Sequence, residues 1–186
     1  MKLIVIGGSP ATGKTTLGHA LYRAIDVPRV AMDDVKEVLF DVGGYRDRAW
    51  SKEIGRIAFP AFQKLVELHL RRGESVIAEA TFLWNDDGPW LESIAKEFHA
   101  DLIRVWLTCD PLIARERFVH RANTMRHPGH CDSLEDVLAE FEERFFIAVN
   151  KPLPLNAPTL VMDTTNCPVD LDAAIRFIQK PYASRD

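Results

Sequence analysis

This 186-residue chain is poor in cysteine, in long apolar runs and in excess positive charge. Its three cysteines, Cys109, Cys131 and Cys167, are odd in number, widely spaced and without a C-x-x-C pair. That argues against both a disulfide framework and a zinc site. No apolar run is long enough for a membrane span, and the apolar start is too short for a signal peptide. Lys and Arg number 23 against 27 Asp and Glu, giving a net charge of −4 and a pI near 5.9. No global positive field therefore favours long nucleic acid. Internal repeats and low-complexity tracts are also missing. With 47% hydrophobic and 27% charged residues, the chain suits one globular domain, expected to be cytoplasmic and a monomer or homodimer.

What is present is concentrated at the start. Leu3–Ile6 reads as a strand, and Gly8-Ser9-Pro10-Ala11-Thr12-Gly13-Lys14-Thr15 then fits the pattern G-x-x-x-x-G-K-[ST]. The glycines let the backbone curl until successive N–H groups face phosphate oxygens. Lys14 supplies a point charge over the outer phosphates, and Thr15 a hydroxyl for Mg²⁺. Strand, loop and helix follow in the order that chemistry needs, so the chain is expected to bind a nucleoside triphosphate.

The rest alternates strands and helices. A helix over Lys14–Ala24 is followed by a short strand, Pro28–Met32, and a helix over Val35–Phe40. Gly43-Gly44 breaks the pattern. A helical period then runs from Arg48 to Arg71 through Ile54, Ile57, Phe62, Leu65, Val66 and Leu70, with Pro60 expected to kink or split it. Ser75–Ala80 and Leu102–Leu107 read as buried strands, with a helix from Pro89 to Phe98 between them. Asp110-Pro111 caps the next helix. Asn123–Asp132 reads as a mobile loop, in which His127, His130 and Cys131 fall short of a zinc site. A capping box, Ser133–Asp136, opens a helix to about Val149 whose Phe141, Phe145 and Phe146 form a core stripe. A proline-rich connector leads to a last strand, Thr159–Met162, and Pro168 starts the terminal helix. Five such strands alternating with helices predict an α/β fold, a parallel sheet covered on both faces.

Ligands of such sheets sit at the carboxyl ends of the strands. There the sequence offers Asp33-Asp34 with Lys36 behind, Glu79-Ala80-Thr81, Thr108-Cys109-Asp110 and Asp163-Thr164-Thr165. A carboxylate after the second strand suits acceptance of a substrate hydroxyl proton during attack on the γ-phosphorus. Both aspartates also suit the cap of the following helix. The division expected here is Asp33 as base and Asp34 as the lesser candidate.

GSPATGKTT, the Asp-Asp-x-x-basic stretch and Glu79-Ala80-Thr81-Phe82 resemble P-loop small-molecule and polynucleotide kinases. That group includes chloramphenicol phosphotransferase-like and zeta-toxin-like enzymes and is often labelled AAA-type ATPase. Cys109-Asp110-Pro111 with Arg117 and Arg121 resembles the family's helix leading into a lid, here around residues 117–132. The resemblance implies a three-layer P-loop kinase fold with strand order 2-3-1-4-5. It also implies ATP or GTP with Mg²⁺ as the donor.

By the same resemblance Gly8 to Thr15 hold the phosphates and Thr16 supports the α-phosphate. Lys14, Asp33 and Arg121 become the catalytic set, and Arg117 lies near the nucleotide. Thr15 and Glu79 serve the metal, while Asp33, Asp34, Lys36, Glu79 and Trp84 face the acceptor. Lys36 stands where polynucleotide kinases carry an Arg for the acceptor phosphate, and loses its bidentate fork. The Leu83–Trp90 stretch, with two Trp and two Asp, points to a neutral or cationic acceptor. The activity implied is transfer of the γ-phosphoryl group to a hydroxyl of a small molecule. The alternatives are a polynucleotide 5′-hydroxyl kinase and a non-kinase AAA-type regulatory module.

Overall fold

The computed structural model describes residues 1–132, 137 and 152–181. Five parallel strands, β1 (Lys2–Gly8), β2 (Arg29–Ala31), β3 (Val76–Glu79), β4 (Asp101–Thr108) and β5 (Thr159–Asp163), form one sheet in the order β2-β3-β1-β4-β5. The expected α/β class and strand order are both observed. β1 lies at the centre, with Ile6 abreast of Glu79 on one side and Val105 on the other.

Pleating sorts the apolar residues into two layers. Leu3, Val5, Val76, Ala78 and Trp106 face the side covered by α3 (Arg48–Arg71) and α4 (Asp87–Glu97). Ile4, Ile6, Ile77, Val105 and Leu107 face α1 (Lys14–Ile25) and the terminal helix α6 (Leu171–Gln179). Helices on both faces hold the sheet rigid and leave its carboxyl edge open as a cleft.

Several boundaries differ from the sequence reading. α2 (Met32–Gly43) starts directly at the end of β2, on Ala31 as N-cap with no side-chain cap. Asp33 and Asp34 therefore stand in its first turn, where anions suit the helix dipole, and neither is a cap. In α3, Pro60 does not split the helix. Pro60 is exposed, so the carbonyl that loses its partner one turn back can be hydrated. The buried apolar residues of α3 are the strict fourfold series Ile54, Ala58, Phe62, Val66, Leu70, while Ile57 and Leu65 are exposed.

α4 opens two residues before Pro89, at Asp87. α5 (Pro111–Thr124) begins at the Asp110 cap, whose carboxylate accepts from the Leu112 and Ile113 amides. α6 starts at Leu171 on an Asp170 cap, three residues after Pro168. The Ser133–Asp136 capping box and the Phe141, Phe145, Phe146 stripe lie outside the described residues.

Candidate active site

The loop between β1 and α1 is built on two positive-φ glycines, Gly8 (φ 135°) and Gly13 (φ 92°). A Cβ on Gly8 would also collide with the Leu107 carbonyl of the neighbouring strand, so only glycine admits this turn. Within the loop Thr12 Oγ1 donates to the Ser9 carbonyl (2.8 Å), as does Lys14 Nζ (2.7 Å). Pro10 to Thr16 line a cleft of about 1340 Å³. Gly8 and Ser9 stand behind that lining: Gly8 N–H donates to the Thr81 carbonyl and Ser9 is fully buried. Burial lowers the Lys14 ammonium to about 8, against the opposing pull of Glu79 and Asp33.

At the end of β3, buried Glu79 has both carboxylate oxygens engaged. Oε1 accepts from the Thr15 hydroxyl (2.8 Å) and Oε2 from Arg29 Nε (2.6 Å). Arg29 Nη1 goes on to Asp34 Oδ2 (2.7 Å). Burial opposes the Arg29 charge, but Glu79 and Asp34 outweigh it and raise its pKa.

Across the cleft, Asp33 is bound by Arg126 Nη1 (2.7 Å). Burial pushes the Asp33 carboxyl up, yet the Arg126 guanidinium, with Lys14 behind it, holds it well below the usual carboxylate range. Arg126 is fixed in turn by Asp132 Oδ2 (3.0 Å) through Nε and by His130 Nδ1 (2.9 Å) through Nη2. A guanidinium only donates, so His130 Nδ1 is the acceptor. Its Nε2 then carries the proton, donated to Glu37 (2.9 Å). His130 is 2% exposed, and burial followed by the Arg126 charge pushes its pKa down to about 2.

Arg48 on α3 joins the cluster by donating to Asp132 Oδ1 and to the His130 carbonyl, both at 2.9 Å. Lys36 Nζ donates to Ser51 Oγ (3.0 Å), and burial lowers its pKa to about 8. Arg121 lines the cleft with its Nε buried and unpartnered among the described residues. Desolvation, then the Arg126 charge, lowers its pKa.

A family model described as an AAA domain matches residues 3–145. The chain belongs to this AAA-domain family. A candidate kinase from Chloroflexus aurantiacus J-10-fl is 33% identical in its crystal structure and superposes with a TM-score of 0.86 over 96% of each chain. The APS kinase of Mycobacterium tuberculosis, solved with AMPPNP and APS, shares 12% identity at a TM-score of 0.63, covering 96% of this chain and 98% of that one. The second likeness establishes the fold, that of P-loop kinases. An uncharacterized protein of Mycobacterium tuberculosis strain H37Rv is 27% identical over 157 residues, 77% of this chain and 29% of that protein. The chain thus spans under a third of the length of the curated relatives it matches.

Within this AAA-domain framework the cleft gathers Pro10 to Thr16 with Asp33, Asp34, Lys36, Glu79 and Trp84, and with Arg117 and Arg121. Arg117 is tied to the Thr164 and Thr165 carbonyls (2.8 and 3.1 Å), which fixes α5 against the turn after β5. Asp34 is exposed and turned to Arg29. Trp84 is 60% exposed at the rim, while Asp87 folds back to accept from the Trp84 amide (2.9 Å). Asp87 thereby spends one carboxylate oxygen on its own loop, and Lys36, Lys52 and Arg56 line the same cleft.

The sequence reading missed Arg48, Arg126, His130 and Asp132. Asn123–Asp132 is no open loop: α5 runs to Thr124, and a 3-10 turn, Pro128–His130, buries His130 against α2 and α3. The one available signal was local, two histidines and an arginine around Pro128-Gly129.

Proposed function

We propose that this protein is a kinase that moves the γ-phosphoryl group of ATP, or of GTP, to a hydroxyl of a small molecule. The observation that carries the reading is the pairing of opposite roles across one cleft. Lys14 sits in the phosphate loop, and facing it is a carboxylate, Asp33, kept ionised by Arg126. Each contributes to the other's electrostatics.

In this reading the acceptor hydroxyl gives its proton to Asp33 as its oxygen bonds to the γ-phosphorus. The bond from that phosphorus to the bridging oxygen breaks, and the nucleoside diphosphate leaves with the electron pair. Lys14 and Arg121 supply positive charge where the transferring group gathers negative charge. Arg121 suits this because its buried Nε is unpartnered among the described residues, a donor awaiting an acceptor.

Mg²⁺ fits the donor set, since it favours hard oxygen ligands shared with phosphate over an all-protein cage. Thr15 would hold it with Glu79 behind, and no group of three His, Cys, Asp or Glu suited to a metal occurs among the described residues. When bound, the ion supplies neutralisation of phosphate charge. The 117–132 segment, whose 3-10 turn is already packed on α2 and α3, serves as the lid that excludes water.

Transfer from γ-labelled ATP to pools of nucleosides, sugars, aminoglycosides and short oligonucleotides tests the reading. Label should enter a hydroxyl compound with the wild type. Lys14→Ala should abolish that transfer and weaken ATP binding. Label appearing only as inorganic phosphate across all pools would count against a kinase.

A further inference from the structure

The Arg29–Glu79–Thr15 chain has a geometry that local stability does not require. Register places Glu79 abreast of Ala31, two residues beyond Arg29, so both side chains emerge on the face that meets α1. The Arg29 side chain is 6% exposed and that of Glu79 5%. A buried pair of this kind loses hydration that its mutual attraction barely restores. The cost is raised further because Arg29 Nη2 is buried with no partner among the described residues.

α1 is shaped around this pair. Gly18 lies one turn after Thr15, and a Cβ there would overlap Glu79 Oε2 and stand 2.7 Å from Arg29 Nε. Any larger residue at this point would push the pair off its position. The guanidinium occupies Oε2 and is itself anchored on the far side by Asp34. Only Oε1 then remains to meet the Thr15 hydroxyl. A hydroxyl has one proton and two lone pairs. Spending the proton on Glu79 leaves the lone pairs of Thr15 Oγ1 as what the cleft receives.

We propose that Arg29 is a positioning residue that, through Glu79 and in the space left by Gly18, orients the Thr15 hydroxyl as an acceptor-only ligand for the metal ion carried by the nucleotide. The inference rests on the reading of Thr15 as a metal ligand. It assigns metal affinity to a residue of β2 that does not itself line the cleft. Removing outer-shell partners of a metal ligand commonly weakens metal affinity by about 10–100-fold.

The experiment is calorimetric binding of the non-hydrolysable analogue AMPPNP, once with excess Mg²⁺ and once in EDTA, to the wild type, Arg29→Met, Arg29→Lys and Gly18→Ala. The wild type should bind more tightly with Mg²⁺; equal affinity in both conditions would refute the Thr15 metal reading itself. Given that tightening, Arg29→Met and Gly18→Ala should each lose about tenfold of it while their affinity in EDTA stays within about twofold. Arg29→Lys, which keeps one ion pair to Glu79 but not the fork to Asp34, should fall between them and the wild type. Thermal melts of each variant separate loss of fold from loss of metal response, and Arg29→Lys carries the test if the other two do not fold. Folded variants that retain the full Mg²⁺ tightening, or that weaken equally in EDTA, would overturn the proposal.

Discussion

Asp33 and His130 are perturbed by the same guanidinium in complementary ways. Arg126 stabilises the Asp33 anion and disfavours the His130 cation. His130 is consequently a neutral acceptor in the folded protein, whereas in an unfolded chain it titrates near its ordinary value of 6.5. Between that value and about 2 the unfolded state binds one more proton, so stability falls as pH falls. Acidifying from pH 7.5 to 5.5 should cost about 1.4 kcal/mol from this residue alone. His130→Gln retains an acceptor for Arg126 and a donor for Glu37 without a titrating group. Its melting temperature should respond less steeply to acid over that window than the wild type's; parallel profiles would show that His130 is not the source. Asp33 acts in the same sense but lower. Its depressed carboxyl contributes stability above about pH 4, lost as pH drops through its folded value.

Among the elements, the phosphate loop was legible because its chemistry fixes its spacing. Two glycines, a lysine and a threonine can serve one curled backbone only in that order. α3 was legible by its period, although only the strict fourfold subset of its apolar residues proved buried. The start of α2 was not, because Ala31 offers no side-chain cap for a sequence to betray. The latch formed around Asp33 by Arg48, Arg126, His130 and Asp132 was least legible of all. Arg126 meets Asp33 across 93 positions and Arg48 meets Asp132 across 84. Pairings at that separation leave no local periodicity. The latch is also where helix packing can be tested. Arg48→Met removes two hydrogen bonds between α3 and the segment ending at Asp132. A loss of about 1–3 kcal/mol is expected, with faster amide exchange across residues 125–132 than in the sheet. Unchanged exchange there would mean that the contacts of Arg126, His130 and Ser51 hold the segment without Arg48.

At the level of the whole molecule, the sheet order is what turns scattered residues into a site. With β1 central, the ends of β2 and β3 carry Asp33 and Glu79 to one side of the phosphate loop. α5, which follows β4, carries Arg117 and Arg121 over the other. A regulatory AAA module and a kinase share this loop and differ in what the triphosphate meets across the cleft. In the proposed function it would meet a carboxylate held ionised and an arginine whose Nε is buried and unpartnered among the described residues. The described residues include no helix long and apolar enough to cross a membrane.

The central claim is that Asp33 receives the acceptor proton while the loop holds the donor. The most direct test is to measure, for the wild type and Asp33→Asn, both nucleotide affinity and the fate of γ-labelled ATP with an accepted substrate. The account predicts slow hydrolysis without acceptor, transfer with it, and a loss of transfer of about a hundredfold to ten-thousandfold in Asp33→Asn at nearly unchanged nucleotide affinity. Full transfer by Asp33→Asn, or rapid acceptor-independent hydrolysis that rises with self-assembly, would contradict it.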